Sequence, residues 1–238
     1  MATIKDNLQQ VQNRIALACK AAQREPGSVR LLVVSKTFPG SDLRETHAAG
    51  VRCFGENYVQ EGLAKIAELQ DLRHELEWHM IGPLQGNKTR PVAEAFDWVH
   101  SVDRLKIAQR LSEQRPAHLA PLNVCLQVNI SGEVSKSGLS PEELPEVARQ
   151  VANLPRLRLR GLMAIPEPGG DLEAQRQPHR ALAALLTSLR AQLQAPGQML
   201  DTLSMGMSAD LEAAIAEGAT MVRVGSAIFG QRPRIAAN

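Results

Sequence analysis

A single (β/α)8 barrel is the fold this sequence predicts, and three observations carry the prediction. Short apolar runs alternate with amphipathic stretches along the whole chain, the pattern of parallel strands joined by crossover helices. Eight such runs fit within 238 residues, close to the length one barrel requires. No proline-rich linker, low-complexity tract or shift in composition divides the chain, so residues 1–238 read as one α/β domain.

The elements follow in order. Thr3 and Asp6 form a capping signal, and Ile4, Leu8, Val11, Ile15 and Cys19 recur at helical spacing. This predicts an extra amino-terminal helix ending near Glu25-Pro26-Gly27. Strands are expected at 31–35, 51–55, 77–82, 98–102, 124–130, 157–165, 202–206 and 221–225. Between them, helices are expected at 41–49, 57–70, 88–95, 103–114, 141–152, 172–193 and 209–217. The clearest start is Ser140-Pro141-Glu142-Glu143, with an N-cap serine, proline at the first helical position and glutamate at the third.

Composition narrows the function classes. A chain that is 44% hydrophobic and 22% charged can bury a substantial core. With 27 basic and 25 acidic residues the net charge is +2, which provides no footprint for nucleic acid. Arg156, Arg158 and Arg160 read as a solvated face. Cys19, Cys53 and Cys125 are odd in number and widely spaced, against both a disulfide framework and a metal-ligand pairing. Cys53 and Cys125 read as small core residues. There is no apolar signal core and no stretch long enough to span a bilayer, so a protein off the membrane and in the reducing cytoplasm is expected.

Lys36 closes the run Arg30-Leu31-Leu32-Val33-Val34-Ser35-Lys36, and the chain then turns through Thr37-Phe38-Pro39-Gly40. An amine therefore stands at the carboxyl end of a buried strand, where barrels assemble their sites. Alternation puts Leu32, Val34 and Lys36 on one face. Desolvation there favours the neutral amine, which attacks aldehydes. Taken alone, Lys36 would read as a snorkelling strand-end lysine. Two late segments reverse that preference.

Ser204-Met205-Gly206-Met207-Ser208-Ala209-Asp210 follows the seventh strand and Gly225-Ser226-Ala227 the eighth. Barrels commonly bind phosphate in these two loops, where free backbone N–H groups and hydroxyls surround an anion. In a closed barrel, strand eight also lies beside strand one. Either loop alone reads equally well as a helix cap and a turn; both together beside Lys36 favour phosphate. A phosphate anchor with a lysine amine suggests a phosphorylated aldehyde, of which pyridoxal 5'-phosphate is the common one. Alternation places Met221, Arg223 and Gly225 on one face, aiming a guanidinium at a pyridine nitrogen. Arginine does not release its proton at ordinary pH, so such a ring would be a poor electron sink.

Several motifs together are specific: Leu32-Val33-Val34-Ser35-Lys36, Phe54-Gly55-Glu56-Asn57-Tyr58-Val59-Gln60-Glu61, Trp78-His79-Met80-Ile81-Gly82-Pro83-Leu84-Gln85 with Asn87-Lys88, Gly161-Leu162-Met163-Ala164, Leu203 to Ser208, and Val222 to Gly230. Over essentially the whole chain they resemble the pyridoxal phosphate homeostasis protein family, also called the proline synthase co-transcribed family. The resemblance implies a TIM barrel like the amino-terminal domain of alanine racemase. It implies a covalent imine of pyridoxal 5'-phosphate on Lys36, Arg223 facing the pyridine nitrogen, and Ser204, Gly225 and Ser226 around the phosphate, with Met205 of the same loop in the cofactor-binding set. Asn57 and His79 match motif positions close to the cofactor, and Ser226 stands where relatives often have threonine.

Other residues keep two readings. His79, on one face with Ile81, is either a ring contact or a buried hydrogen-bonded histidine. Asn57 either donates to the ring or caps the following helix. The loop Ser131 to Gly138 is either a lid or an ordinary connection. A pyridoxal racemase also needs a second base opposite the lysine, often a tyrosine from another domain; this chain has one tyrosine, Tyr58, and no length for that domain. The expectation is a monomeric, non-catalytic protein of pyridoxal phosphate homeostasis, with apo-forms of pyridoxal-dependent enzymes as candidate recipients. The alternatives are a weak amino-acid racemase and a class I Schiff-base aldolase.

Overall fold

Eight parallel strands pair in sequence order, and the last returns to the first to close a barrel. A computed structural model describes residues 3–133, 137–167, 169–193 and 199–230. The strands are β1 (Arg30–Val34), β2 (Cys53–Glu56), β3 (Glu77–Met80), β4 (Trp98–Val102), β5 (Leu122–Gln127), β6 (Leu157–Met163), β7 (Thr202–Ser204) and β8 (Met221–Val224). Helix α1 (Ile4–Ala21) precedes them, and α2 (Gly40–Ala48), α3 (Val59–Glu68), α4 (Thr89–Ala95), α5 (Leu105–Gln114), α6 (Leu144–Ala152), α7 (Leu172–Gln192), α8 (Leu211–Ala216) and α9 (Ser226–Phe229) follow the strands in turn. The fold is the single (β/α)8 barrel with an extra amino-terminal helix that the sequence predicts.

Boundaries differ where local chemistry intervenes. The Thr3 capping box forms as expected, but α1 stops at Ala21, and Pro26–Ser28 make a separate 3-10 turn. Ser140 and Glu143 exchange the expected capping bonds, yet α6 begins only at Leu144. The Leu144 N–H closes a first turn on Ser140 O, but Pro145 has no N–H to continue the ladder. Arg160 also departs from expectation. It pairs through two nitrogens with Asp201, at 2.9 and 2.6 Å, and lies 4.8 Å over the Trp98 ring, so it is half-buried, not part of a solvated face.

Alternation sorts the strand residues between lumen and sleeve. Val33, Phe54, Trp78, Met80 and Val99 belong to the large outer core under the helices. Leu32, Val34, Cys53, Ile81 and Met221 form a separate inner cluster, and Trp98, Cys125 and Met163 another. Cys53 and Cys125 are buried free thiols, and burial pushes Cys125 up to about 12. The register sets Leu32 opposite Arg223 and Val33 opposite Val224. Gly225 makes this closure possible, because a Cβ there would stand 2.7 Å from Val34 O.

A buried ion cluster then fixes the end of β1. Ser35 points outward, away from the lumen. Its hydroxyl donates to Glu56 Oε1 at 2.6 Å, and its carbonyl accepts from Lys65 Nζ at 2.7 Å. The same ammonium donates to Glu56 Oε1 at 2.8 Å and Glu61 Oε1 at 2.6 Å, so its three N–H groups are all used. Glu61 Oε1 also accepts the Thr37 N–H at 2.5 Å. Thr37 holds φ +70°, a conformation that costs a β-branched residue on the order of 1–3 kcal/mol. Both neighbours of Lys36 are therefore anchored from the helix side.

Removing one partner of this cluster strands a buried charge. Lys65→Met should cost about 3–5 kcal/mol at neutral pH in urea unfolding. Burial holds the Glu56 carboxyl above its ordinary range, against the pull of Lys65. An acid with a raised folded-state pKa stabilises the fold when protonated and loses that contribution as pH rises. The deficit of Lys65→Met relative to wild type should therefore shrink as pH falls from 8 to 5. A deficit independent of pH would show that Glu56 does not rely on Lys65.

Candidate functional site

The carboxyl ends of the strands surround a cavity of about 290 Å³. Its wall comes from Asn57, from Ile81 and Gly82 after β3, from Asn129 and Ser131 after β5, and from Ile165 after β6. Lys36 and Arg223 do not line this cavity; they stand at the β1–β8 seam of the barrel, Lys36 just after β1 and Arg223 on β8. Lys36 is half-buried and continues the inward alternation of Leu32 and Val34.

Arg223 reaches the lumen from β8 and is 4% exposed. Nη1 donates to Ser204 O at 2.5 Å and Ser204 Oγ at 2.8 Å, and Nη2 donates to Ala164 O at 2.8 Å. A guanidinium has five N–H groups. Among the described residues, the Nε–H and the second Nη2–H have no hydrogen-bond partner. Burial lowers the Arg223 pKa to about 10, partly offset by Asp210, so it remains a cation at neutral pH.

The other expected residues occupy different levels. Asn57 lines the cavity and does not cap α3, whose N-cap is Tyr58. Its Oδ1 is buried without a partner among the described residues. Gly82 makes this wall possible, since a Cβ there would stand 2.1 Å from Asn57 O. Met205 is buried and its N–H donates to Met221 O, within the strand ladder. Gly225 precedes α9 and Ser226 opens it, exposed at the mouth. The first bonds of that helix run from Ile228 and Phe229 to Gly225 O. The amides of 225–227 are thus the open donors of a helix start.

Ser204 and His79 lie deeper. The Ser204 hydroxyl is fully buried between Arg223 Nη1 and His100 Nδ1, each at 2.8 Å, so it supports the guanidinium and does not face the open loop. His79 is also fully buried. Its Nδ1 lies 2.9 Å from His100 Nε2 and its Nε2 2.7 Å from Glu77 Oε1, and its ring stacks on Trp98 with centroids 5.3 Å apart. Arg30 closes the far end, with Nη1 2.9 Å from Glu77 Oε1 and Nη2 donating to Cys53 Sγ at 2.8 Å. Cys53, Glu77 and His79 place ligand atoms within 4.8 Å of one another, and this guanidinium is the cation bonded to two of them. Burial lowers the pKa of His79 against the hydrogen bond to Glu77, and burial lowers that of His100 well below the ordinary value. Burial opposes the charge on Glu77, yet His79 and Arg30 hold its carboxyl below the usual range.

Sequence reasoning missed His100, Glu77, Lys65 and Glu56. The signal for His100 was present: it alternates with Trp98 on β4, the strand next to His79 on β3. In the loop after β5, Ser131 and Ser137 line the cavity, while 134–136 lie outside the described residues. Among the described residues, no helix is long and apolar enough to cross a membrane.

Comparison with known proteins places this architecture. The family described as alanine racemase, N-terminal domain matches residues 2–233. A pyridoxal phosphate homeostasis protein of Pseudomonas aeruginosa is 62% identical over 232 residues, covering 98% of this chain and 97% of that protein. One from Escherichia coli K12 is 54% identical, covering 98% of each. PipY of Synechococcus elongatus, solved with pyridoxal phosphate bound, is 40% identical with a TM-score of 0.78, over 91% of this chain and 100% of that one. Alanine racemase of Corynebacterium glutamicum, 16% identical with a TM-score of 0.65 over 97% of this chain and 63% of its own, shares the fold. With these matches over nearly its full length, the chain belongs to the pyridoxal phosphate homeostasis protein family, built on the barrel of the alanine racemase amino-terminal domain.

Proposed function

We propose that this protein binds pyridoxal 5'-phosphate at the barrel mouth, with Lys36 as the covalent attachment point, and serves cytoplasmic homeostasis of the cofactor without catalysing a reaction. When bound, the cofactor supplies an aldehyde that condenses with a lysine amine. The observation that carries the reading is a half-buried Lys36 beside the strand that bears Arg223, a buried cation with two N–H groups uncommitted among the described residues.

The residues fit the group. Arg223 offers donors to a ring nitrogen, and its permanent charge favours holding the ring over drawing electrons into it. The orphaned Asn57 Oδ1 offers an acceptor in the cavity wall. The Ser226 hydroxyl and the amides of 225–227 suit a phosphate, and Gly225 lets the backbone approach it. Ser204 and His79 act from beneath, through Arg223. All these residues come from one chain, so a monomer suffices. The described cavity wall consists of asparagine, glutamine, serine, glycine, proline and aliphatic residues, with no acid or base at neutral pH. Stereoinversion would need a second base facing the lysine, and exchange of a substrate's α-hydrogen would be its signature. Delivery to apo-enzymes belongs to the same reading.

Borohydride reduction of the loaded protein should place a pyridoxyl group on Lys36, and Lys36→Ala should lose that adduct while staying folded. A peptide map with the group on another lysine refutes the attachment.

Ser226→Ala should weaken binding of pyridoxal phosphate about 10- to 150-fold, the loss of one hydrogen bond to a charged group of about 1.5–3 kcal/mol. Binding of pyridoxal without its phosphate should be unaffected. Equal losses for both ligands would move the phosphate elsewhere.

In deuterated water, the loaded protein should exchange the α-hydrogen of L-amino acids no faster than free pyridoxal phosphate does. Exchange well above that rate, abolished by Lys36→Ala, would make the protein an enzyme. Reactivation of an apo-enzyme faster than released cofactor permits would establish direct delivery.

A further inference from the structure

Arg30, Glu77, His79, His100, Ser204 and Arg223 come from five strands and join into one line of hydrogen bonds through the lumen. Its chemistry allows a single direction. Glu77 is ionised and only accepts, so His79 donates to it from Nε2. A neutral imidazole then has Nδ1 as its acceptor, which receives the His100 Nε2–H. His100 Nδ1 accepts in turn, from the Ser204 hydroxyl, and the Ser204 oxygen receives Nη1–H of Arg223. The opposite end is compatible with this order, because a guanidinium accepts nothing and leaves the Ser204 O–H available to His100 Nδ1. If either ring carried its proton on Nδ1, one link would set two acceptors against each other: His79 Nε2 against the Glu77 carboxylate, or His79 Nδ1 against His100 Nε2.

We propose that Glu77, His79 and His100 are positioning residues for the cofactor site: their one-directional chain holds the Ser204 hydroxyl as an acceptor and so orients Arg223. The proposal rests on the assignment of Arg223 to the cofactor ring made above. Barrel lumens are ordinarily filled by branched apolar side chains, whereas here a polar line runs from the partly exposed Arg30–Glu77 pair at the amino-terminal end of the strands through the buried His79, His100 and Ser204 to Arg223. Each member satisfies the next, and the uncommitted donors are those of the last. A chain satisfied in only one arrangement over-determines the guanidinium orientation, which preorganises a ligand contact.

Long-range proton–nitrogen spectra of the cofactor-free protein at neutral pH should show His79 and His100 protonated on Nε2 alone. An Nδ1-protonated ring at either position overturns the chain. His100→Phe, which keeps bulk and removes both links, should raise the Kd for pyridoxal phosphate about tenfold. It should also move the pH titration of the bound cofactor's absorbance toward that of Arg223→Gln. The double variant should bind no worse than Arg223→Gln alone, and His100→Gln, which can still accept from Ser204, should recover most of the affinity.

A folded His100→Phe with unchanged Kd and absorbance, or losses that add in the double variant, would reduce His100 to packing and refute the proposal. If His100→Phe does not fold, Ser204→Ala cuts the same line at its upper end with little loss of volume, and the same two outcomes decide. A wild-type protein that takes up no pyridoxal phosphate would defeat the functional reading, while the tautomer spectra still judge the chain.

Discussion

Strand β8 lies parallel to β1 with Leu32 opposite Arg223, and this pairing makes one wall from segments at opposite ends of the sequence. The close approach depends on the absent side chain at Gly225, whose Cβ would press on Val34 O at 2.7 Å. Its φ of −126° suits any residue, so space and not conformation requires glycine there. Without closure, Lys36 and Arg223 would sit on the two free edges of an open sheet. With it, the end of β1, the start of α9 and the lumen of β8 meet at one point.

The same closure creates an interior that must be filled, and this chain fills part of it with polar groups. An unpaired buried polar atom costs about 1–3 kcal/mol, so the two histidines and the serine in the lumen are tolerable because each is bonded to the next. Direction makes every link between them possible, and the only open donors of the line among the described residues are those of Arg223. Glu77 terminates the line as an ion that only accepts, held by Arg30, and Arg223 begins it as an ion that only donates. Trp98 covers one side, stacked on His79 and capped from below by Arg160.

Much of this was legible in the sequence because strand alternation and barrel order are geometric rules that need no contacts. They correctly put Leu32, Val34, Ile81, Met221 and Arg223 inside the barrel and brought β8 to β1. They also placed Ser204 in a loop after β7, whereas β7 ends on Ser204 with its side chain in the lumen. One position separates a hydroxyl facing the mouth from one facing the interior, and boundary error is of that size. Lys65 was illegible for another reason. On α3 it falls at a position that reads as an exposed i, i+4 pair with Glu61, and only the packing of α3 on β2 buries it against Glu56. The late start of α6 turned on Pro145, which the strong Ser140 signal overshadowed.

Adjacent residues of one strand end serve the two faces of the barrel, and this gives the site its rigidity. Ser35 points outward and is tied to Lys65 and Glu56, while Lys36 follows inward. Thr37 is held in a left-handed conformation by Glu61, a strain the ion cluster sustains. The lysine backbone is thus fixed from the sleeve and the arginine from the lumen, by two networks of buried charge that share no residue. The described cavity lies at the ends of β3, β5 and β6 and is lined by neutral side chains. The amine of Lys36 and the guanidinium of Arg223 are thus placed on neighbouring strands by independent supports, so their relative position is set by the β1–β8 pairing and not by either network alone.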